Sequence, residues 1–512
     1  RDRGVVPGVS SLIAASISWR LGAHRMPTLP ISMDHGLPAV DRARREHRAR
    51  MANARDAYLR DRLHDLEDLE NRLLRHLSGD SQAVKPEPGA VLVASRLGPA
   101  ELLEYRDCQL AGIALEEGGV GSHAAIVARA IGVPAIGDLE GIVGRVEAND
   151  PVIVDADNGI ALVRPGADIE ANCRERIELS GQRQAEFAKL RDLPARTLDG
   201  VDITLSINAG LSFDLDHLDE SGAQGVGLFR TEFQFLASET LPSLEQQAEF
   251  YEDAIARSGE QPIVFRTLDL GGDKVAPFMG GDREENPALG WRALRMALDH
   301  PYFFRRQLRA LIRASRRKTL RLMFPMVCSV DEFTAARELV DAEIDWAVRF
   351  GRETPDEILI GAMVETPSFA FSISQLEGKA DFLSVGTNDL MQFFFAADRE
   401  NSKVATRYEV LSRPAIGLLK MIVESARTAK IPLSVCGEAA GRPLDALMLA
   451  CLGFRHFSTQ AARIGPIKRL IRGMDLAQLT SEVNLLIDSD IPEIRQELLN
   501  IAQHSVPDVF GR

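Results

Sequence analysis

No C-x-x-C pair occurs in the chain, whose five cysteines (Cys108, Cys173, Cys328, Cys436, Cys451) are scattered through 512 residues. That scatter argues against a structural zinc site or a disulfide framework and suits a reducing cytosol. Also missing is any uninterrupted apolar run of roughly eighteen residues, so nothing reads as a membrane-spanning helix. The stretch VVPGVSSLIAASISW near the start is apolar but short, and proline and glycine interrupt it. With Arg1 in first place and no methionine, a fragment or an irregular gene start is expected rather than a secretory signal. Positive charge is in deficit: 60 Lys and Arg against 74 Asp and Glu leave a net −14. A nucleic-acid partner is thereby disfavoured, while a small anion held by local arginines is not. What is present, 45% hydrophobic and 26% charged residues, describes a soluble, cytoplasmic, globular protein. Its length predicts two or three domains.

Residues 1–40 have no steady period and several breakers (Pro7, Pro27, Pro30, Gly36, Pro38), and read as unstructured. Over 41–80 the character changes: Leu59, Leu63, Leu66, Leu73 and Leu77 recur at three-to-four-residue spacing and predict one amphipathic helix. A polar, proline-bearing linker follows. Short apolar strands over 85–166 (AVLVAS, LAGIAL, PAIG, PVIVDADNG and IALVRP) then surround one helix, which predicts a compact α/β unit. Residues 167–198 read as a charged linker helix. From 199 to 512 the chain repeats strand, turn and helix. Eight strand candidates begin with DITLSIN, GVGLFR and PIVFRTLDL, continue through RLMFPM, ILIGAMVE and DFLSVGTND, and end with PLSVCGE and HFSTQ. The fold class is α/β, and eight such beats predict a (β/α)₈ barrel, with an open doubly wound sheet as the alternative.

In such a barrel the chemistry lies at the C-terminal ends of the strands. Those ends carry Arg230, Arg266, Glu365, Asn388, Asp389 and Cys436, with Arg399 just beyond. Any one of them could be half of a structural salt bridge; together they form a pattern. Converging arginines repel one another unless they share an anion, and phosphate suits their forked donors. Two carboxylates from adjacent strands can share a hard cation, which is how Mg²⁺ is usually held. Cys436 there reads as a nucleophile, a proton donor or a buried thiol. Upstream, the glycine-rich turn GGVGSH, with His123, opens a helix and could cradle a phosphate on free backbone N–H groups.

The motifs GVGLFRTEF, FRTLDLGGDK, ENPALGWRALR, MVETP, SVGTNDLMQFFFAADREN and VCGEAAG resemble the phosphoenolpyruvate-utilising phosphotransferases. The resemblance runs over roughly residues 50–475 and is most pronounced to Enzyme I of the bacterial phosphotransferase system. It implies a swivelling phosphohistidine domain, with His123 in a GG-x-x-SH turn, and a barrel that binds phosphoenolpyruvate. It further implies that Arg230, Arg266, Arg292, Arg399 and Asn388 hold the substrate, that Glu365 and Asp389 hold Mg²⁺, and that Cys436 protonates the enolate. The implied partner is a small histidine phosphocarrier protein of the HPr or NPr type, and the implied assembly a homodimer through the barrel. Two departures stand out. Gly121 replaces the threonine or asparagine usual two positions before the histidine, and the helical carrier-docking subdomain is reduced to a remnant. The helix LRDRLHDLEDLENRLLRHL inclines toward the nitrogen-regulatory branch. Pyruvate phosphate dikinase and phosphoenolpyruvate synthase share these domains but need a large nucleotide-binding domain ahead of them. A weakly active phosphoenolpyruvate-binding regulator is the alternative from outside catalysis.

Overall fold

The computed structural model describes residues 86–511, except 98–101, 103–104, 106–107, 118–127, 129–131, 157–158, 237–239, 272–283, 285, 400, 402 and 405–406. The segment expected to be unstructured (1–40), the helix expected over 41–80 and the turn carrying Gly121 and His123 lie outside the described residues. The chain divides into two compact units, Arg1–Glu175 and Arg176–Arg512.

In the first unit, β1 (Val91–Ala94), β2 (Gly112–Leu115) and β3 (Ala135–Ile136) form a parallel sheet in that order. β4 (Val152–Asp155) and β5 (Ile160–Val163) pair antiparallel as a hairpin. Leu102, Leu110, Ile113 and Leu115 supply a small apolar core. The charged segment beyond the hairpin forms a helix over Ala167–Lys189.

The second unit contains a closed, all-parallel barrel of eight strands. In order around the ring they are β6 (Thr204–Ala209), β7 (Val226–Arg230), β8 (Ile263–Arg266), β9 (Thr319–Phe324), β10 (Glu357–Val364), β11 (Phe382–Val385), β12 (Leu433–Val435) and β13 (His456–Thr459), which returns to β6. All eight expected strands are present, and the closed ring rather than an open sheet is the architecture.

Successive strand residues point to opposite faces, so each strand sorts its own side chains. Leu205, Phe229, Phe265, Leu322, Val364 and Val385 face outward into the main core beneath the helices. Leu228, Val264, Met323, Met363, Phe382 and Cys436 form a separate apolar cluster inside the ring. Two residues beyond Val264 on the same face is Arg266, and two beyond Met363 is Glu365. The alternation that fills the barrel therefore delivers polar residues to its C-terminal mouth.

The outer layer is built from ordinary local signals. Ser243 caps Leu244–Ser258 by accepting from Gln246 N–H, and the Gln246 side chain reciprocates. Ser329 caps Val330–Arg349 in the same way from Glu332 N–H. Tyr251 from the first of these helices meets Phe265 edge-on at 5.6 Å, and Phe265 meets Phe229 at 5.4 Å. One expected strand is shorter than its motif suggests: β11 ends at Val385, Gly386 turns the chain, and Thr387–Phe395 is a helix. Asn388 and Asp389 therefore occupy the first turn of that helix rather than a strand end.

Candidate active site

Arg266 ends β8 on the inner face and is 5% exposed. Its guanidinium donates to Glu232 and lies 3.2 Å from Asp269 Oδ2. Burial works against its charge, but Glu232, Asp269, Glu365 and Asp389 more than offset that and hold it firmly protonated. Arg292, 1% exposed, clasps Asp269 from the other side: Nη2 donates to both carboxylate oxygens at 2.9 Å, and Nε to Oδ1 at 3.1 Å. Asp269 thus bridges two arginines. A buried network under β8 supports this end: Thr231 Oγ1 donates to Arg266 O, and Gln307 donates to Thr231 Oγ1 and Tyr251 Oη.

Arg230 ends β7 and is half-buried. Among the described residues no carboxylate pairs with it and no hydrogen bond ties it down. Burial, and then repulsion from Arg266, push its pKa below the usual arginine value. Arg399, beyond the Thr387–Phe395 helix, approaches Asp389 Oδ1 at 3.4 Å.

Glu365 follows β10 and is 1% exposed. Met326 N–H donates to its Oε1 at 2.6 Å. Met326 itself has φ 54°, a left-handed conformation that side-chain-bearing residues rarely occupy. Burial first, and then the charge of Asp389, push the Glu365 carboxyl well above the usual carboxylate range. Asp389, 9% exposed, leaves Oδ1 buried and without a hydrogen bond. Two buried carboxylates in mutual repulsion, one with an oxygen that makes no hydrogen bond and has only Arg399 3.4 Å away, are a donor set that fits a hard divalent cation. Among the described residues no group of three or more His, Cys, Asp and Glu gathers around a point. Two protein ligands would leave the rest of such a shell to substrate and water.

Cys436 lies just past β12 and is 3% exposed. Its Sγ rests 3.6 Å from Val385 O, and its thiol is pushed up to about 11, chiefly by burial. At neutral pH burial therefore keeps it a protonated thiol. Asn388 turns its Oδ1 toward Glu438 N–H at 3.1 Å, joining the Thr387–Phe395 helix to the loop after Cys436.

Arg230, Arg266, Glu365, Asp389, Arg399 and Cys436 thus form one electrostatic group, with Arg292 one residue behind it across Asp269. Sequence reasoning passed over Glu232 and Asp269. Both sit within motifs it singled out, two residues after Arg230 and three after Arg266, where an acidic residue beside a strand-end arginine was the available signal.

The PEP-binding domain of PEP-utilising enzymes matches residues 184–476, and the mobile domain of the same enzymes matches residues 86–159. A phosphoenolpyruvate-protein phosphotransferase from Latilactobacillus sakei is 35% identical over 85% of this chain and 76% of its own length. One from Staphylococcus carnosus is 35% identical over 82% of this chain and 74% of its own. A solution structure of Enzyme I shares 29% identity across 28% of this chain and 58% of its own, with a TM-score of 0.22, and adds no argument about the fold.

Proposed function

The chain belongs to the PEP-utilising enzymes, and on that premise we propose that it is a phosphoenolpyruvate-protein phosphotransferase. The observation that carries this reading is Arg230: a half-buried cation without a carboxylate partner among the described residues, facing the like charges of Arg266 and Arg399. A phosphate or carboxylate in the mouth relieves both its desolvation and its repulsion from Arg266.

Arg230, Arg266 and Arg399 bind the anionic substrate, Arg292 backs them through Asp269, and Asn388 orients it. Glu365 and Asp389 would hold Mg²⁺, whose charge offsets that gathering on the substrate oxygens during transfer. A lone pair on the His123 ring attacks phosphorus, and the bond from phosphorus to the enol oxygen breaks. Cys436 then gives its proton to the methylene carbon of the enolate, so that pyruvate forms, and the thiolate regains a proton from water. His123 passes the phosphoryl group to a histidine of a small carrier of the HPr or NPr type. The swivel of its domain, pairing of barrels into a homodimer and a cytoplasmic location complete the proposal. No helix among the described residues is long and apolar enough to cross a membrane.

The test is turnover. With phosphoenolpyruvate, Mg²⁺ and a purified histidine phosphocarrier, pyruvate and phosphorylated carrier are expected in equal amounts. Absence of both overturns the proposal.

A further inference from the structure

Asn208 is the penultimate residue of β6, half-buried on the inner face of the ring, while Cys436 lies two strands away beyond β12. The paired register of β12 with β13 ends at Val435 and Phe457, so Cys436 sits past the ladder. One side of its peptide is held by β11, because Cys436 N–H donates to Val385 O at 3.0 Å. On the other side Asn208 Nδ2 reaches across and donates to Cys436 O at 2.9 Å. Ser458 of β13, 2% exposed, completes the chain: its hydroxyl lies 2.6 Å from Asn208 Oδ1 and 3.1 Å from Ile207 O.

The orientation of this relay follows from its chemistry. A backbone carbonyl only accepts, so the amide nitrogen of Asn208 must face Cys436. Its oxygen then faces Ser458, which has one proton to give, and the shorter contact takes it. Space for the hydroxyl comes from β7. A Cβ on Gly227 would lie 2.5 Å from Ser458 Oγ and 2.7 Å from Ser458 Cβ, so a side chain there would displace the serine. Three strands at the seam where the barrel closes thus cooperate to fix one carbonyl.

We infer that Asn208, set by Ser458, is a positioning residue for the proton transfer from Cys436. This inference rests on the role proposed above for Cys436. Asn208 does not touch the reacting atoms. It fixes the Cys436–Gly437 peptide as Val385 O fixes the one before, so that the Cα between them holds the thiol toward one face of the enolate. A displacement of an ångström at such a bond costs about a hundredfold in rate in general, and an enolate missed by the thiol takes its proton from water on either face.

The readout is therefore the stereochemistry of the product methyl group. Phosphoenolpyruvate carrying one tritium at C3 in defined geometry is turned over once by the full chain in D₂O, and the chirality of the released pyruvate is determined. Wild type is expected to give one methyl configuration. Asn208→Leu, similar in size but without the amide, is expected to give a largely racemic methyl while its chain still becomes phosphorylated. Ser458→Ala is expected to fall between them. Retained chirality in Asn208→Leu overturns the inference, whatever the loss in rate or thermal stability, since a merely structural role slows turnover without scrambling the face. Cys436→Ser separates the two readings. If that variant and Asn208→Leu both keep full chirality, the acid role of Cys436 falls; if only Asn208→Leu keeps it, the positioning role falls alone.

Discussion

At the scale of single residues, the mouth combines a buried thiol with a buried ion-pair network. Cys436 has its thiol pushed up from the ordinary 9.0 to about 11, chiefly by burial. A folded-state value above the unfolded one means that the contribution to stability is complete below about 9 and is lost as pH rises through about 11. Alkylation of Cys436 by iodoacetamide, followed on its peptide by mass spectrometry, should be slow near neutrality and accelerate toward that upper value. Rapid labelling near neutrality contradicts a protonated acid. Asp269, 1% exposed on its side chain, neutralises Arg266 and Arg292 together. Asp269→Ala leaves two buried cations without it and should cost about 3–5 kcal/mol in denaturant unfolding. A loss within experimental scatter would show that Glu232 alone suffices for Arg266. The strand-end arginines and Glu365 were legible in the sequence because period-two alternation puts them on the inner face. Asn208 and Ser458 were not, since their partnership spans 250 positions and exists only once the ring closes.

Elements set these residues in register. The eight strands were legible because each is a short apolar run bounded by turn residues, with enough chain between for a helix. The start of the Thr387–Phe395 helix was not, because the polar TND after FLSV reads equally as the mouth end of the strand and only Gly386 marks the turn. That helix start is packed against the loop after β12. A Cβ on Gly437 would meet Thr387 Oγ1 and come within 2.7 Å of Thr387 N, a backbone atom that cannot swing aside. Gly437→Ala should therefore push the first turn outward, carrying Asn388 and Asp389 with it. The expected result is a modest loss of stability, about 1–3 kcal/mol, with turnover falling about a hundredfold and far-ultraviolet dichroism unchanged. Near-normal turnover would show that this turn tolerates displacement and that its two polar residues are not tightly placed.

For the whole molecule, the division of labour follows the two compact units. The turn with His123 belongs to the first and the arginine and carboxylate mouth to the second. A chain of net charge −14 repels an anionic substrate at long range, so the proposed capture rests on the local arginines of the mouth. In the sequence, strand patterns give way to a charged helix and then to the eightfold beat, and the chain divides within that helix, between Glu175 and Arg176. The central claim is that phosphoenolpyruvate places its phosphoryl group on His123. Its most direct measurement is incubation with ³²P-labelled phosphoenolpyruvate and Mg²⁺, followed by peptide mapping under alkaline conditions, where phosphohistidine survives. The account predicts acid-labile label on the peptide containing His123, none in His123→Ala, and none when ATP replaces phosphoenolpyruvate. An unlabelled wild-type chain, or label that persists in His123→Ala, would contradict it.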